Sequence, residues 1–224
     1  MGPGTGLGEA FLCKSQFSKC HEVFPAEGGH TEWSPRGDID FKLYRFAKNY
    51  IATSQNVENL KTPNVALDRL SVERVCAGPA LPMIYEFMKT EHPDLAKVLE
   101  TGANAKSPND IIGKDIIEAG LKGNDPLCMK VVEKFTEIFA VEVGDMGLKT
   151  LPYGGIYLVG GVTYGLSDYL RTNKLFMDTF YAKGRLSGVM QKFPVMIVKP
   201  SVELGILGAE EACYRLMGCF SKDE

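Results

Sequence analysis

A short apolar run between two glycine pairs, GGIYLVGG at residues 154–161, constrains the fold of this chain most strongly. Consecutive apolar residues bounded by glycines predict a buried strand that ends in a sharp turn. A second such strand is predicted at 194–198. Elsewhere, apolar residues recur at helical intervals, most clearly at 38–52, 109–121 and 126–143. Strands separated by helices indicate an α/β layered fold.

Capping residues predict where several of these helices begin. Asp38 is placed as an N-cap for the first helix, and Ser107 with Pro108 is a start signal for the second. A terminal helix is predicted over 204–217 and is entered through Gly205. These signals agree with the apolar periodicity, so the sequence predicts several helices around short strands.

The composition is that of an ordinary globular protein. The 224 residues are 45% hydrophobic and 24% charged, which suits one sizeable domain or two small ones. With a formal net charge of −3 and no cluster of Lys or Arg, the chain lacks a basic footprint, so we expect no nucleic-acid partner. No apolar run approaches the roughly 20 residues that cross a bilayer. We therefore expect no membrane partner and a cytoplasmic location.

Six cysteines are scattered along the chain without a CxxC pair. In a chain of this length they indicate reduced thiols in an intracellular protein rather than stabilising disulfides. Cys13, Cys20 and His21 could hold a metal ion, but the sequence has no second ligand pair at zinc spacing. We therefore expect no metal site here.

Glycines occupy every second position of GPGTGLG at residues 2–8. This spacing matches neither GxGxxG nor the Walker pattern. It suits a turn whose backbone N–H groups face an anion closely, and it suits equally well a tight hairpin without a ligand. Because the motif follows Met1 directly, we expect the chain to begin inside a hairpin of a longer protein.

A second polar motif, EGGH, lies at residues 27–30. Its two glycines permit a sharp turn, so Glu27 and His30 can converge on a small ligand such as a sugar; a polar loop without a ligand is the alternative. Glu73 lies near a predicted helix start, where an acidic residue usually complements the helix dipole. By itself, the position of Glu73 therefore favours a structural role.

Glycines also end the 154–161 strand and open the last helix. In open α/β folds, ligands bind at the carboxyl ends of strands, where Gly160 and Gly161 permit close approach. Gly205 and Gly208 can place helix N–H groups in the same crevice. These glycines indicate a candidate ligand-binding crevice.

Taken in order, these motifs resemble the bacterial-type glucokinase family of the actin-like ATPase and sugar kinase superfamily. The matching stretches are GPGTGLG at 2–8, EGGH at 27–30, SVERVCAGPAL at 71–81, GGIYLVGG at 154–161, KGR at 183–185 and LGILGA at 204–209. The resemblance implies an α/β actin-like ATPase (ribonuclease H-like) large lobe, in which helices flank a sheet. Residues 1–224 then form the C-terminal domain, and the small N-terminal lobe is missing.

The resemblance also implies an activity, namely transfer of the γ-phosphoryl group of ATP to the 6-hydroxyl of glucose in glycolysis, with Mg²⁺ as cofactor. It assigns roles to nine positions of this sequence. These are Gly4, Thr5 and Gly6 for a phosphate-binding turn, Glu27, His30 and Glu73 for glucose hydroxyls, and Gly160, Gly161 and Gly205 for the nucleotide pocket.

The catalytic base of the family is an aspartate in an Asn-Asp motif of the small N-terminal lobe. Asp38, Asp40, Asp68 and Asp145 do not match that motif, so we expect no catalytic base in this chain and negligible turnover by the chain alone. A non-catalytic descendant that binds a sugar or a regulatory partner is the alternative. Pairing with a separate N-terminal lobe is a third reading, and the resemblance also leads us to expect a homodimer.

Overall fold

The computed structural model of the protein describes residues 1–14, 21–53, 69–95, 97–101 and 105–217. Within these ranges, helices flank two small sheets. The strands are β1 Gly2–Pro3, β2 Leu7–Lys14, β3 His21–Ala26, β4 Ile156–Leu158 and β5 Val195–Ile197. The α/β class predicted from the sequence is therefore confirmed.

Ten α-helices lie in the described ranges. They are α1 Gly37–Thr53, α2 Ala80–Glu91, α3 Val98–Thr101, α4 Gly113–Leu121, α5 Pro126–Thr150, α6 Gly161–Gly165, α7 Ser167–Thr172, α8 Leu175–Tyr181, α9 Ser187–Met190 and α10 Leu204–Leu216. No helix in these ranges combines the length and the apolar character that crossing a bilayer requires.

The two sheets are joined through the first residue of the chain. β1, β2 and β3 form an antiparallel sheet in that order, while β4 and β5 pair in parallel. The Met1 nitrogen donates to the Tyr157 carbonyl at 2.9 Å, and the Val159 N–H donates to the Met1 carbonyl at 3.0 Å. These bonds place the β1–β2 turn beside the carboxyl end of β4.

The strands at 154–161 and 194–198 exist, but the prediction that both are buried was wrong in part. Ile156 and Leu158 are buried, whereas Tyr157 between them is 53% exposed. β5 is only partly buried along its length. Successive side chains of a strand point to opposite faces, so one face of this pair lies against the core and the other lies near the surface.

Helix α5 is the centre of the core, and α2, α4 and α8 pack against it. It begins at Pro126 because the carboxylate of Asp125 accepts from the Cys128 N–H at 2.9 Å. The predicted end at residue 143 was wrong, since the helix continues to Thr150. Gly144 and Gly147 do not end it; they allow other chain segments to approach the helix closely.

Two predicted helix starts also need correction. α1 begins at Gly37, so Asp38 lies in the first turn and is not the N-cap. Ser107 makes no capping bond, and a short 3-10 turn precedes α4, which begins at Gly113. There the Asp115 carboxylate accepts from the Ile112 N–H at 3.1 Å, so Asp115 and not Ser107 satisfies a free N–H group at the start of this helix.

The terminal helix α10 is confirmed almost as predicted, but none of its residues is buried. Ile206 and Leu216 are 68% and 88% exposed. The Arg215 guanidinium donates to the His21 carbonyl of β3 at 3.0 Å, which ties the helix to the edge strand of the antiparallel sheet. α10 therefore presents a largely apolar surface to solvent.

Candidate functional site

The turn at residues 4–6 joins β1 to β2, where Pro3 lies opposite Leu7. Its geometry is set by the Gly4 N–H, which donates to the Gly6 carbonyl at 2.8 Å. Thr5 lies exposed at the tip. Within the described part of the chain, the N–H groups of Thr5 and Gly6 have no hydrogen-bond partner. The turn therefore has donors that can bind an anion such as phosphate.

Two neighbouring residues fix this turn in place. The Gly78 N–H donates to the Gly4 carbonyl at 2.7 Å, and a Cβ on Gly78 would lie only 2.9 Å from that oxygen. The carboxylate of Glu73 accepts from the Leu7 N–H at 2.9 Å and lies against the Cα of Gly6. One oxygen of Glu73 is thus committed to the turn, a structural role that differs from the helix-dipole role favoured by its position alone.

The carboxyl end of β4 reaches the same turn. Gly160 has a φ of +94°, and a Cβ there would lie 2.6 Å from the Pro3 carbonyl, so this position requires glycine. Gly161 begins α6 and has open space around its Cα. Gly205 lies exposed in the first turn of α10, with no atom within 4 Å of a Cβ built there. Its nucleotide-binding role stays a prediction.

The loop at residues 27–30 forms a 3-10 turn, Gly28–His30, directly after β3. The Glu27 carboxylate and the His30 imidazole approach to 3.7 Å, and their side chains are 90% and 60% exposed. Gly29 is buried with its Cα against the Leu7 carbonyl. The two glycines therefore let the loop lie on β2 while an acid and an imidazole point into solvent, and the sugar-binding role of Glu27 and His30 stays a prediction.

Backbone bonds join this loop to the segment that carries Glu73. The Trp33 N–H donates to the Leu70 carbonyl at 2.9 Å, and the Val72 N–H donates to the Thr31 carbonyl at 3.0 Å. The structure thus links the 27–30 loop, through the segment that carries Glu73, to the 4–6 turn.

Two carboxylates that were not selected from the sequence lie inside the fold, with Glu9 half-buried and Glu142 buried. The Glu9 carboxylate of β2 contacts the Cα of Gly28, and its Oε1 is buried without a hydrogen-bond partner in the described residues. Glu142 of α5 is 6% exposed. Burial raises the pKa of both carboxyl groups, and for Glu142 burial and the charge of Glu9 raise it to about 7. No local motif identifies either residue.

Several aspartates that could be considered as a catalytic base have a structural role in the fold. Asp40 pairs with Lys134 at 3.1 Å, and Asp145 pairs with Lys183. Two aspartates follow an asparagine, which is the Asn-Asp pattern named in the sequence analysis. Of these, Asp125 caps α5, and Asp110 lies in the 3-10 turn before α4. Asp68 lies outside the described residues. Asp40, Asp125 and Asp145 are therefore held by other groups of the fold, and the absence of a catalytic base from this chain stays a prediction.

No group of three or more His, Cys, Asp or Glu residues in the described ranges is arranged to hold a metal ion. Cys13 is exposed with a free thiol, and His21 lies opposite Lys14 across the β2–β3 pair. Cys20, the third member of the cluster considered from the sequence, lies outside the described residues.

Comparison with known proteins supports one family over nearly the whole chain. The sequence model of the family "Glucokinase" matches residues 1–215. A glucokinase of Nostoc punctiforme is 33% identical over 226 residues, which cover 96% of this chain and 60% of that protein. The chain therefore spans about 60% of the length of this relative.

Two solved structures show the same fold. A glucokinase from Balamuthia mandrillaris in complex with glucose superposes with a TM-score of 0.70 at 18% identity, covering 93% of this chain and 51% of that one. A ROK family glucokinase from Streptomyces griseus in complex with glucose and AMPPNP superposes with a TM-score of 0.54 at 20% identity. This match covers 94% of this chain and 58% of that one. The α/β fold is therefore consistent with the actin-like ATPase type, and on its sequence the chain belongs to the glucokinase family.

Proposed function

We propose that this chain is the sugar- and phosphate-binding part of an ATP-dependent glucokinase, which transfers the γ-phosphoryl group of ATP to the 6-hydroxyl of glucose. One observation carries the proposal: Glu73 accepts from the Leu7 N–H beside the 4–6 turn, while its own segment is bonded to the 27–30 loop. A phosphate turn and a sugar loop are thus held next to each other, as phosphoryl transfer between two bound substrates requires.

The site residues divide by chemistry. In the proposal Glu27 and His30, which are exposed and 3.7 Å apart, bind glucose hydroxyls, and Glu73 supplies a further acceptor. The N–H groups of Thr5 and Gly6 bind phosphate oxygens of ATP. Gly4, Gly160, Gly161 and Gly205 let the backbone approach the nucleotide. One solved glucokinase of the same fold is in complex with glucose and another is in complex with glucose and AMPPNP, which supports a site for a sugar and a nucleotide.

Mg²⁺ is the cofactor that we assign to the reaction, because it neutralises charge on the transferred phosphoryl group. Mg²⁺ is commonly held by one or two carboxylates together with substrate phosphates and waters. We therefore expect Mg²⁺ to bind mainly through the phosphates of ATP.

The base that accepts the proton of the sugar hydroxyl is supplied, in this proposal, by a part of the protein outside these 224 residues. Among the described aspartates, Asp40 and Asp145 are engaged by lysines and Asp125 caps α5. A second lobe also closes the cleft and excludes water from the transferred group. The chain alone should bind glucose and turn over negligibly.

Isothermal calorimetry with glucose tests the sugar site. Glu27→Gln removes a carboxylate and His30→Gln removes an imidazole, each of which is proposed to bind a glucose hydroxyl. Each substitution is expected to weaken glucose binding by about tenfold or more. Glu22→Gln is the matched control, since Glu22 is an exposed carboxylate on β3. Absence of glucose binding, or equal affinities for all four proteins, would contradict the proposal.

A coupled assay for glucose 6-phosphate tests the missing base. We expect no turnover with MgATP and glucose until the remaining part of the protein is supplied. Turnover by the 224-residue chain alone would show that a base lies within it. Binding without turnover in the reconstituted protein would favour the non-catalytic, regulatory alternative.

A further inference from the structure

A polar pocket with a volume of about 200 Å³ lies between α1, α5 and α8. Trp33 and Arg36 line it from the segment before α1, Lys134 and Glu137 line it from α5, and Thr179 lines it from α8. Among the described residues that form its walls, none belongs to the 4–6 turn or to the 27–30 loop. The pocket is therefore separate from the residues assigned to ATP and glucose.

An ion-pair network forms one wall of this pocket. The Lys134 ammonium donates to Asp40 Oδ1 at 3.1 Å and also pairs with Glu137, and the side chains of Lys134 and Asp40 are each only 11% exposed. The second oxygen of Asp40 accepts from the Arg36 N–H at 3.0 Å. Both oxygens of Asp40 and the charge of Lys134 are thus already engaged, so this wall is fixed by contacts within the fold.

The guanidinium of Arg36 differs from the other charged groups of the pocket. Within the described part of the chain it has no ion-pair or hydrogen-bond partner, although it lines the cavity. A guanidinium presents a planar set of N–H donors that matches carboxylate and phosphate oxygens. Glu137 uses Oε2 for Lys134, which leaves Oε1 as an acceptor, and Ser34 and Thr179 add hydroxyls. The pocket therefore has one group for an anion and several groups for hydroxyls.

We propose that this pocket binds a small hydroxylated anion, namely a carboxylate or phosphate ester whose charge pairs with Arg36 and whose hydroxyls bond to Glu137 and Thr179. The carboxylate of Glu137 disfavours a bare polyanion, so the hydroxyls contribute to recognition. The volume limits the size, because it corresponds to about seven waters at their share of liquid volume, or about three carbons with their oxygens. A nucleotide needs a larger pocket, of about 300 Å³ or more.

The fluorescence of Trp33 measures this binding, because the single tryptophan lines the pocket and stacks on Tyr44. Without glucose or ATP, D-glycerate and glycerol 3-phosphate should each change the fluorescence saturably in the millimolar range or below. Glycerol, which has the hydroxyls but no charge, should leave it unchanged, as should sodium chloride at matched ionic strength. The proposal is overturned if neither anion changes the fluorescence or if glycerol changes it as much.

Substitutions in the pocket show where the anions bind. Arg36→Gln should weaken the binding of both anions about tenfold or more, since it removes charge-assisted hydrogen bonds while the backbone bond to Asp40 remains. Arg45→Gln is the matched control, because Arg45 is an exposed arginine of α1 that does not line the pocket. Thr179→Phe fills part of the cavity without changing its charge and should also weaken binding.

The three variants give a pattern that a surface ion pair would not produce. Wild-type affinity in Arg36→Gln, or an equal loss in Arg45→Gln, overturns the proposal. Wild-type affinity in Thr179→Phe also overturns it, because the anion would then bind Arg36 outside the cavity. The outcome does not depend on the proposed sugar site. If glucose fails to bind while this pattern holds, the sugar site is wrong and the anion pocket stands.

Discussion

The buried carboxyl of Glu142 should make the protein less stable as the pH rises. Glu142 is 6% exposed, and burial followed by the charge of Glu9 raises its pKa from the ordinary 4.5 to about 7. A pKa difference of this size means that folding disfavours the ionised form of Glu142, relative to the protonated form, by about 3 kcal/mol. The unfolded chain ionises near 4.5 and the folded chain only near 7, so the free energy of unfolding falls across this interval and then stays low.

Glu142→Gln removes this loss because an amide of nearly the same shape does not ionise. At pH 5 the variant and the wild type should agree within about 1 kcal/mol, whereas at pH 8 the variant should be more stable by up to about 3 kcal/mol. Urea unfolding followed by circular dichroism at the two pH values measures both differences. The slope of the unfolding transition should not change.

Glu133→Gln is the matched control for this experiment. Glu133 lies on the same helix, its side chain is 37% exposed, and it pairs with Lys130 at 2.9 Å. Loss of such a surface pair should change stability by less than about 1 kcal/mol at either pH. The reasoning is refuted if Glu142→Gln is no more stable than the wild type at pH 8, or if the control gains as much.

Three further outcomes are expected. Gly160→Ala should lower the free energy of unfolding by about 1–3 kcal/mol because φ is positive at this position. Gly161→Ala should leave that free energy nearly unchanged because the space around Gly161 is open, and chemical denaturation measures both effects. Asp125→Ala removes the cap of α5 and should cost about 2 kcal/mol, whereas Ser107→Ala, which loses no capping bond, should cost little in the same assay. The exposed apolar residues of α10 should make the chain self-associate, and light scattering that shows a monomer at all concentrations would contradict this.

Local signals predicted much of the fold and of the candidate site. Glycine spacing was sufficient to place a turn at 4–6, since few residues other than glycine allow so close an approach of backbone segments. The start of α5 could be predicted because Asp125 and Pro126 act within the first turn of the helix. The end of α5 could not be predicted, because Gly144 and Gly147 do not end the helix but allow distant segments to pack against it.

Long-range contacts explain what the sequence did not reveal. Glu9 reads as an ordinary residue of an exposed hairpin, and Glu142 as a polar interruption of an apolar helix face. Only the fold brings Glu9 against Gly28 of the 27–30 loop and lets its charge act on Glu142. In the same way, the bond from the Leu7 N–H to Glu73 connects two motifs far apart in sequence, so neither motif predicts it.

The exposed position of α10 has a consequence for how the chain opens. A helix of 13 residues is marginal by itself in water, and α10 buries none of its side chains in the core. It can therefore unwind without disturbing the packing around α5. Its amide hydrogens should exchange with solvent through local opening, whereas those of α5 exchange only when the core itself unfolds. The protein thus consists of two parts with unequal cooperativity, and α10 belongs to the weaker one.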